Sequence, residues 1–357
     1  MVESEQVMTT GEAAVTSDAQ AAPQSRTLAQ ILTSQLETLQ THHRAVLDTD
    51  DPEAIHKMRV TTRRLQASLD LLEGELRVHK LKKRLRKWRR MLSLVRNYDV
   101  FLDLIDKEAG ARRSSRQEQF EFVKAILHKR RDRRAAKVRQ YMKRVKVGGV
   151  ASRLGLTITP LNNEAGNQAD TESGDAMKES AAGPATQKRF AVNESKLTEH
   201  IAERLEQRLA EFQALAAQSH PSTSAQDLHQ LRIAAKRVRY LLEIISDLGF
   251  GNAAQSLGWL RTLQDRIGDW HDLEALEEEI IEMVSRRRFM KEHLSESSRM
   301  LLAAAHLQKK KESLVSKLFP VRIPRTVPLT SQRMAKALRR HAAQTREQKP
   351  PAKNDAK

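Results

Sequence analysis

The sequence predicts an all-α protein built from two four-helix bundles with disordered tails, and three observations carry that expectation. Apolar residues recur at the helical period along most of the chain, and no alternating strand pattern stands out. The segment IHKMRVTTRRLQASLDLL at Ile55–Leu72 returns without a gap as LHQLRIAAKRVRYLLEII at Leu228–Ile245, 173 residues later. Each copy is the second of four helical segments in its half, so the chain reads as an internal duplication.

In order, the first half reads as a helix over about Thr27–Leu47, a short acidic turn at Asp48–Pro52, the repeated helix to about Leu76, a very basic helix over about Lys80–Glu108 and a last one over about Arg116–Lys146. The second half reads as about Lys196–Gln218, a Ser/Thr/Pro turn at Ser219–Ser224, the repeated helix to about Leu248, then about Ala253–Glu282 and Arg286–Leu318. Asp51-Pro52, and Ser224 or Asp227, are helix starts by capping chemistry, while Gly249 and Gly251 form a stop. Residues 1–26 are polar and aperiodic and predict a disordered leader; 27–147 and 194–319 are the two halves, 148–193 a flexible linker and 320–357 a basic tail. Within that tail Ser331–Ala343 can form a short basic helix, but no packed face is evident.

The 357 residues carry a net charge of +18, unevenly spread. Residues 27–147 hold +15 and 320–357 hold +8, whereas 194–319 hold −1. Such a field points to an anionic partner: nucleic acid, a membrane surface or another phosphate polymer. There is no cysteine, which excludes disulfides, thiolate metal sites and a cysteine nucleophile and permits a reducing, cytoplasmic setting. No run approaches the roughly 20 apolar residues of a membrane span, and the N-terminus lacks a signal-peptide core, so membrane insertion is not expected.

The repeat keeps polar residues that burial alone does not require. His56 answers to His229, Arg59 to Arg232, Arg63 to Lys236 and Arg64 to Arg237. At about 100° per residue, with His56 at zero, Arg59 falls near 300° and Arg63 near 340°, bordering the apolar stripe of Ile55, Met58, Leu65, Leu69 and Leu72. The second copy places His229, Arg232 and Lys236 in the same way and adds Arg239, whose counterpart is Gln66. No acidic residue stands between Lys57 and Ser68, or between Leu228 and Leu242. Stacked cations repel unless something negative lies between them, and a linear phosphate polymer meets two equivalent walls at once.

A further pair of segments, SLVRNYDVFLDLI at Ser93–Ile105 and GDWHDLEALEEEI at Gly268–Ile280, sets Arg96 against His271, Asn97 against Asp272 and Asp99 against Glu274. The acids here either orient the arginines and histidines of the repeated helices or are ordinary solvated residues. The preceding run LKKRLRKWRR spreads Lys82, Lys83, Arg86, Lys87, Arg89 and Arg90 round so much of its helix that only some can face one ligand; Lys82, Lys83, Arg86 and Arg90 are the candidates taken forward.

IHKMRVTTRRL and LHQLRIAAKRVRYLLE, with LVRNYDV and GDWHDLE following, make the chain resemble the CHAD family, the conserved histidine α-helical domain, over about 27–146 and 194–319. The resemblance implies two bundles related by pseudo-twofold symmetry around a basic groove that binds inorganic polyphosphate. It further implies that His56, Arg59, Arg63, Arg64, His229, Arg232, Lys236, Arg237 and Arg239 line the polymer's path, with Arg96 and His271 beside them. Asn97 departs from the aspartate common at that place. The strand-rich, triphosphate-cleaving tunnel domain that accompanies this domain in longer proteins is not visible.

Catalysis is not expected. His56 and His229 have no HExxH partner, no GxxxxGK[ST] loop occurs, and no cofactor or metal is implied. The expected role is non-catalytic polyphosphate binding in the cytoplasm, with association at polyphosphate granules and with granule proteins. The alternatives are a non-specific nucleic-acid binder and a granule scaffold. Few aromatic residues and no recognisable helix-turn-helix argue against base-specific readout.

Overall fold

The computed structural model describes residues 26–72, 76–110, 115–153 and 194–347. The expected leader, apart from Arg26, and most of the expected linker lie outside these residues. Every regular element among the described residues is a helix: α1 (Leu28–Asp48), α2 (Pro52–Asp70), α3 (Leu76–Gly110), α4 (Ser115–Lys143), α5 (Gly148–Arg153), α6 (Glu194–Gln218), α7 (Ala225–Asp247), α8 (Ala254–Ser285), α9 (Arg287–Glu292), α10 (Leu294–Leu318) and α11 (Thr326–Glu347).

Local chemistry sets the boundaries. Thr27 and Gln30 close a reciprocal capping box on α1, Asp51 caps α2 with Pro52 in its first turn, and the Ser224 hydroxyl accepts from Asp227 N at 3.1 Å to start α7. Gly249 (φ 86°) and Gly251 (φ 131°) end α7 in a conformation that L side chains rarely adopt.

α1 packs on α2, α2 on α3, α3 on α4 and α4 back on α1, forming a closed set of four. The second half follows the same order through α6, α7 and α8, but its last long helix, α10, lies against α8 and across on α4, while α11 takes the place beside α6. The apolar side chains consequently form two cores. One is made by α1, α2, α6, α7, the first parts of α3 and α8, the end of α4 and α11. The other is shared between the halves: Phe101, Leu102 and Ile105 of α3 and Phe120, Val123 and Leu127 of α4 meet Leu273, Leu276, Ile280, Met283 and Val284 of α8 and Met300, Ala303, Ala304 and Leu307 of α10. Burying side chains of this size contributes about 1.5–3 kcal/mol each, which holds the halves as one body.

Three expectations are corrected. The helix expected over 286–318 breaks at His293 (φ −139°, ψ 54°) into α9 and α10, and the break brings Phe289 and His293 against Phe122 of α4, with ring centroids 6.1 and 5.3 Å away. The stretch expected to be linker begins with α5, whose Val150 is buried. The tail is neither disordered through 326–347 nor without a packed face: α11 buries Val327, Met334, Ala335, Leu338 and Ala342, while Arg339 and Arg346 reach Glu206 and Glu199 of α6.

A candidate polyanion groove

α2 and α7 touch across the middle of the molecule, as do α3 and α8 behind them, so the repeated segments face one another. Between them opens a groove of about 680 Å³. Nine of the fifteen candidate residues line it: His56, Arg59 and Arg63 from α2, Arg96 from α3, His229, Arg232, Lys236 and Arg237 from α7 and His271 from α8. The cause is the one read from the repeat. Met58, Leu65 and Leu69 on α2, and Leu231, Val238 and Leu242 on α7, anchor each helix in the core, so the bordering cations are delivered half-buried to the space between.

Carboxylates are scarce in this groove. Arg59 Nη1 donates to neutral acceptors, the Ser93 hydroxyl and Arg89 O at 3.4 Å, and Arg89 donates to Gln66 Oε1 at 2.7 Å. Arg232 Nε is buried without a hydrogen-bond partner among the described residues. The Arg232 guanidinium lies against the backbone of α8 at Gly268, where an added Cβ would stand 3.3 Å from Nη2, so the glycine of GDWHDLE makes room for it. Asp272 also lines the groove, and its charge acts on Arg232.

The electrostatics follow from crowded, poorly hydrated like charges. Burial first, then Arg63, Arg89, Arg96 and Arg232, pulls Arg59 down to about 9. Burial, then Arg232, Arg63, Arg239 and Arg59, pulls Lys236 down to about 6. His271 falls to about 4 through burial and through Arg232, His229 and Lys236, its ring lying 5.6 Å from that of His229. His56 and His229 are lowered by burial and by the arginines beside them, and Arg232 is lowered because burial outweighs Asp272. Burial likewise raises Asp272 against the pull of Arg232, Arg96, Lys236 and Arg59. An anion entering the groove would relieve every one of the cationic shifts.

The other six candidates do not line the groove. Arg64 and Arg239 turn to Glu243, at 3.8 and 3.6 Å, and Arg239 also lies over the Tyr240 ring at 4.8 Å. Arg64 and Glu243 belong to a second cavity, of about 400 Å³, on the other side of Ala67 and Tyr240, which line both spaces. Lys82 pairs with Asp70 at the groove's rim, and Arg86 donates to Lys82 O at 3.4 Å. Lys83 and Arg90 are exposed on another side of α3. Asp99 and Glu274 do not orient the repeated helices: Asp99 pairs with Arg131 of α4 at 3.0 Å, and Glu274 with Lys311 of α10.

Sequence reasoning missed Arg204 and Arg208, which α6 brings to the groove, and Tyr240; it saw Arg89 only as one cation in a dense run. Arg204 and Arg208 stand outside the repeated segment, and their spacing of one helical turn beside a basic neighbouring helix was the available signal. Arg237 and Arg208 share Glu211, each at 2.8 Å, which neutralises part of that end of the wall.

The sequence profile of the CHAD domain matches residues 30–280. The fold is similar to the crystal structure of the CHAD domain from the plant Ricinus communis, with a TM-score of 0.56 and 21% identity, over 88% of this chain and 99% of that one. It is also similar to PptA from Streptomyces chartreusis, with a TM-score of 0.50 and 15% identity, over 89% of this chain and 98% of that one. No curated protein matches the chain in sequence.

Proposed function

We propose that this chain, which belongs to the CHAD domain family, binds inorganic polyphosphate without catalysis, in the groove between the two repeated helices. The observation that carries the reading is the set of half-buried cations, Arg59, Arg63, Arg96, Arg232 and Lys236, gathered from three helices, with Asp272 the groove carboxylate that feels the charge of Arg232, Arg96, Lys236 and Arg59. Cations left this way destabilise the fold unless a ligand supplies the negative charge. On this reading the two halves are pseudo-twofold partners contributing one wall each, which the contacts of α2 with α7 and α3 with α8 support. A polymer of identical phosphates meets both walls with the same chemistry. Arginine forks take pairs of phosphate oxygens, Lys236 gains a proton, and the histidines donate once protonated.

The groove's polar groups are overwhelmingly donors and cations, which suits holding a polyanion; association with polyphosphate granules follows from gripping a long polymer. Among the described residues no helix is long and apolar enough to cross a membrane.

The test replaces Arg59 and Arg232 with alanine together and measures affinity for long-chain polyphosphate at near-physiological salt. Two lost charge-assisted contacts at about 1.5–3 kcal/mol each predict a loss of at least about 100-fold. Unchanged affinity overturns the reading. Duplex DNA that displaces polyphosphate equally well across salt concentrations would replace it with a generic basic surface.

A further inference from the structure

The first half carries a second basic surface that the groove does not use. On α3, Lys80, Lys83, Lys87 and Arg90 are exposed along one side, spanning about 15 Å at 1.5 Å per residue. On α4, Arg134 and Lys137 are exposed on the side of Tyr141, whose ring Lys87 overlies at 5.6 Å, and Arg144 is exposed just past the helix end. The two rows thus form one two-helix plate. Among the described residues, none of these seven cations has a carboxylate at ion-pair distance. Arg286 and Arg288, by contrast, each have a glutamate one turn along, and Arg339 and Arg346 have glutamates on α6. α3 contains no acidic residue from Leu76 to Tyr98, and the neighbouring stretch from Val123 to Val147, α4 and the turn after it, only Asp132. Like charges stacked at these spacings repel one another and stabilise nothing in the isolated chain.

The plate is continuous with the groove. With groove-lining Arg89 at zero and about 100° per residue, Arg96 lies near 340°, Arg86 near 60°, Arg90 near 100°, Lys83 near 120°, Lys87 near 160° and Lys80 near 180°. A strand of phosphates leaving the groove past Arg89 therefore passes from cation to cation round α3 without meeting an acid on that helix. We propose that the α3–α4 plate is an extension of the groove that takes the overhanging length of a long polyphosphate chain, so that affinity rises with chain length beyond what the groove accommodates. This rests on polyphosphate as the groove's ligand. Lys83 and Arg90, which the groove leaves out, find their place here.

The experiment replaces Lys80, Lys87, Arg134 and Lys137 with glutamine in the full chain, all four being exposed, and compares binding of linear tripolyphosphate, long-chain polyphosphate and duplex DNA across salt. Thermal melting checks that the variant is folded. The expected result is unchanged tripolyphosphate binding, with long-chain affinity down about tenfold at low salt and a shallower dependence of log affinity on log salt, because fewer counterions are released. Unchanged long-chain affinity, while Arg59→Ala with Arg232→Ala still abolishes binding, overturns the extension and leaves the groove intact. Equal losses for both phosphate probes overturn it as well. Loss of DNA binding with long-chain affinity preserved assigns the plate to nucleic acid instead. Failure of the unaltered protein to bind either phosphate probe strikes the groove reading itself.

Discussion

Where α3, α4, α8 and α10 share a core, cations that approach the interior find carboxylates. Arg131 lies 3.0 Å from Asp99, Arg130 pairs with Glu279, Lys310 with Glu108, and Lys311 with both Glu274 and Glu277. In the groove, Arg59, Arg63, Arg96 and Lys236, also half-buried, have no such ion-pair partner among the described residues. The titration of the two lysines follows. Burial works against charge in both, but the hydrogen bonds that Lys311 donates to Glu274 and Glu277 raise it above the usual lysine value, whereas burial together with arginine neighbours drives Lys236 down to about 6. One chain has thus solved buried charge in two ways. Internal pairing neutralises the charges round the shared core, two of the pairs, Arg130–Glu279 and Lys310–Glu108, crossing between the halves, and the groove keeps its cations without such pairing.

Removing Lys311, as Lys311→Met, should have the largest effect on stability, since it strands two acids of which Glu277 is buried; a loss of about 3 kcal/mol is expected in denaturant melts. Lys236→Met should do the reverse, stabilising the ligand-free protein by about 0.5–2 kcal/mol while weakening polyphosphate roughly tenfold. The sign follows from linkage. The unfolded state holds a proton on Lys236 that the folded groove surrenders above pH 6, so the penalty is full below about 6 and fades as pH rises towards the unfolded lysine value. A destabilised Lys236→Met variant at neutral pH would break the comparison.

Supplying the groove with a carboxylate of its own sharpens it further. Asn97→Asp, at a position that lines the groove as Asp272 does, should lower polyphosphate affinity by a few-fold in titrations at low salt, with stability unchanged or slightly higher. Gly268→Ala is the mildest change: it leaves every charge but presses on the Arg232 guanidinium, and should cost about two- to fivefold in affinity.

The repeat made the groove legible because polar identity was kept where packing did not demand it: His56 and His229, Arg59 and Arg232, Arg63 and Lys236 stand where helical angles set them. Arg64 and Arg239 were misdirected because a single carboxylate, Glu243, gathers them together with Arg261 at 3.5 Å, and no periodicity reveals which side of a helix such an acid will hold. On α3, cations occupy so much of the circumference that only the neighbours α2 and α4 decide which of them see the groove. The shared core was illegible for a related reason: amphipathic stripes say that Ile280 and Ile105 must be covered, not that they cover each other. The packed face of α11 was hidden by its density of cations and by flanking prolines, although Val327, Met334 and Leu338 fall at helical spacing.

The central claim, that the groove's unpaired cations await an external anion, is tested most directly by counting protons on binding. Calorimetric titration of long-chain polyphosphate at pH 7, in buffers of different ionisation enthalpy, should show net proton uptake, because the anion raises Lys236 from about 6 and the histidines from their lowered values. In Lys236→Met that uptake should fall by nearly one proton. Binding without proton uptake, or with uptake unchanged in the variant, would contradict the account.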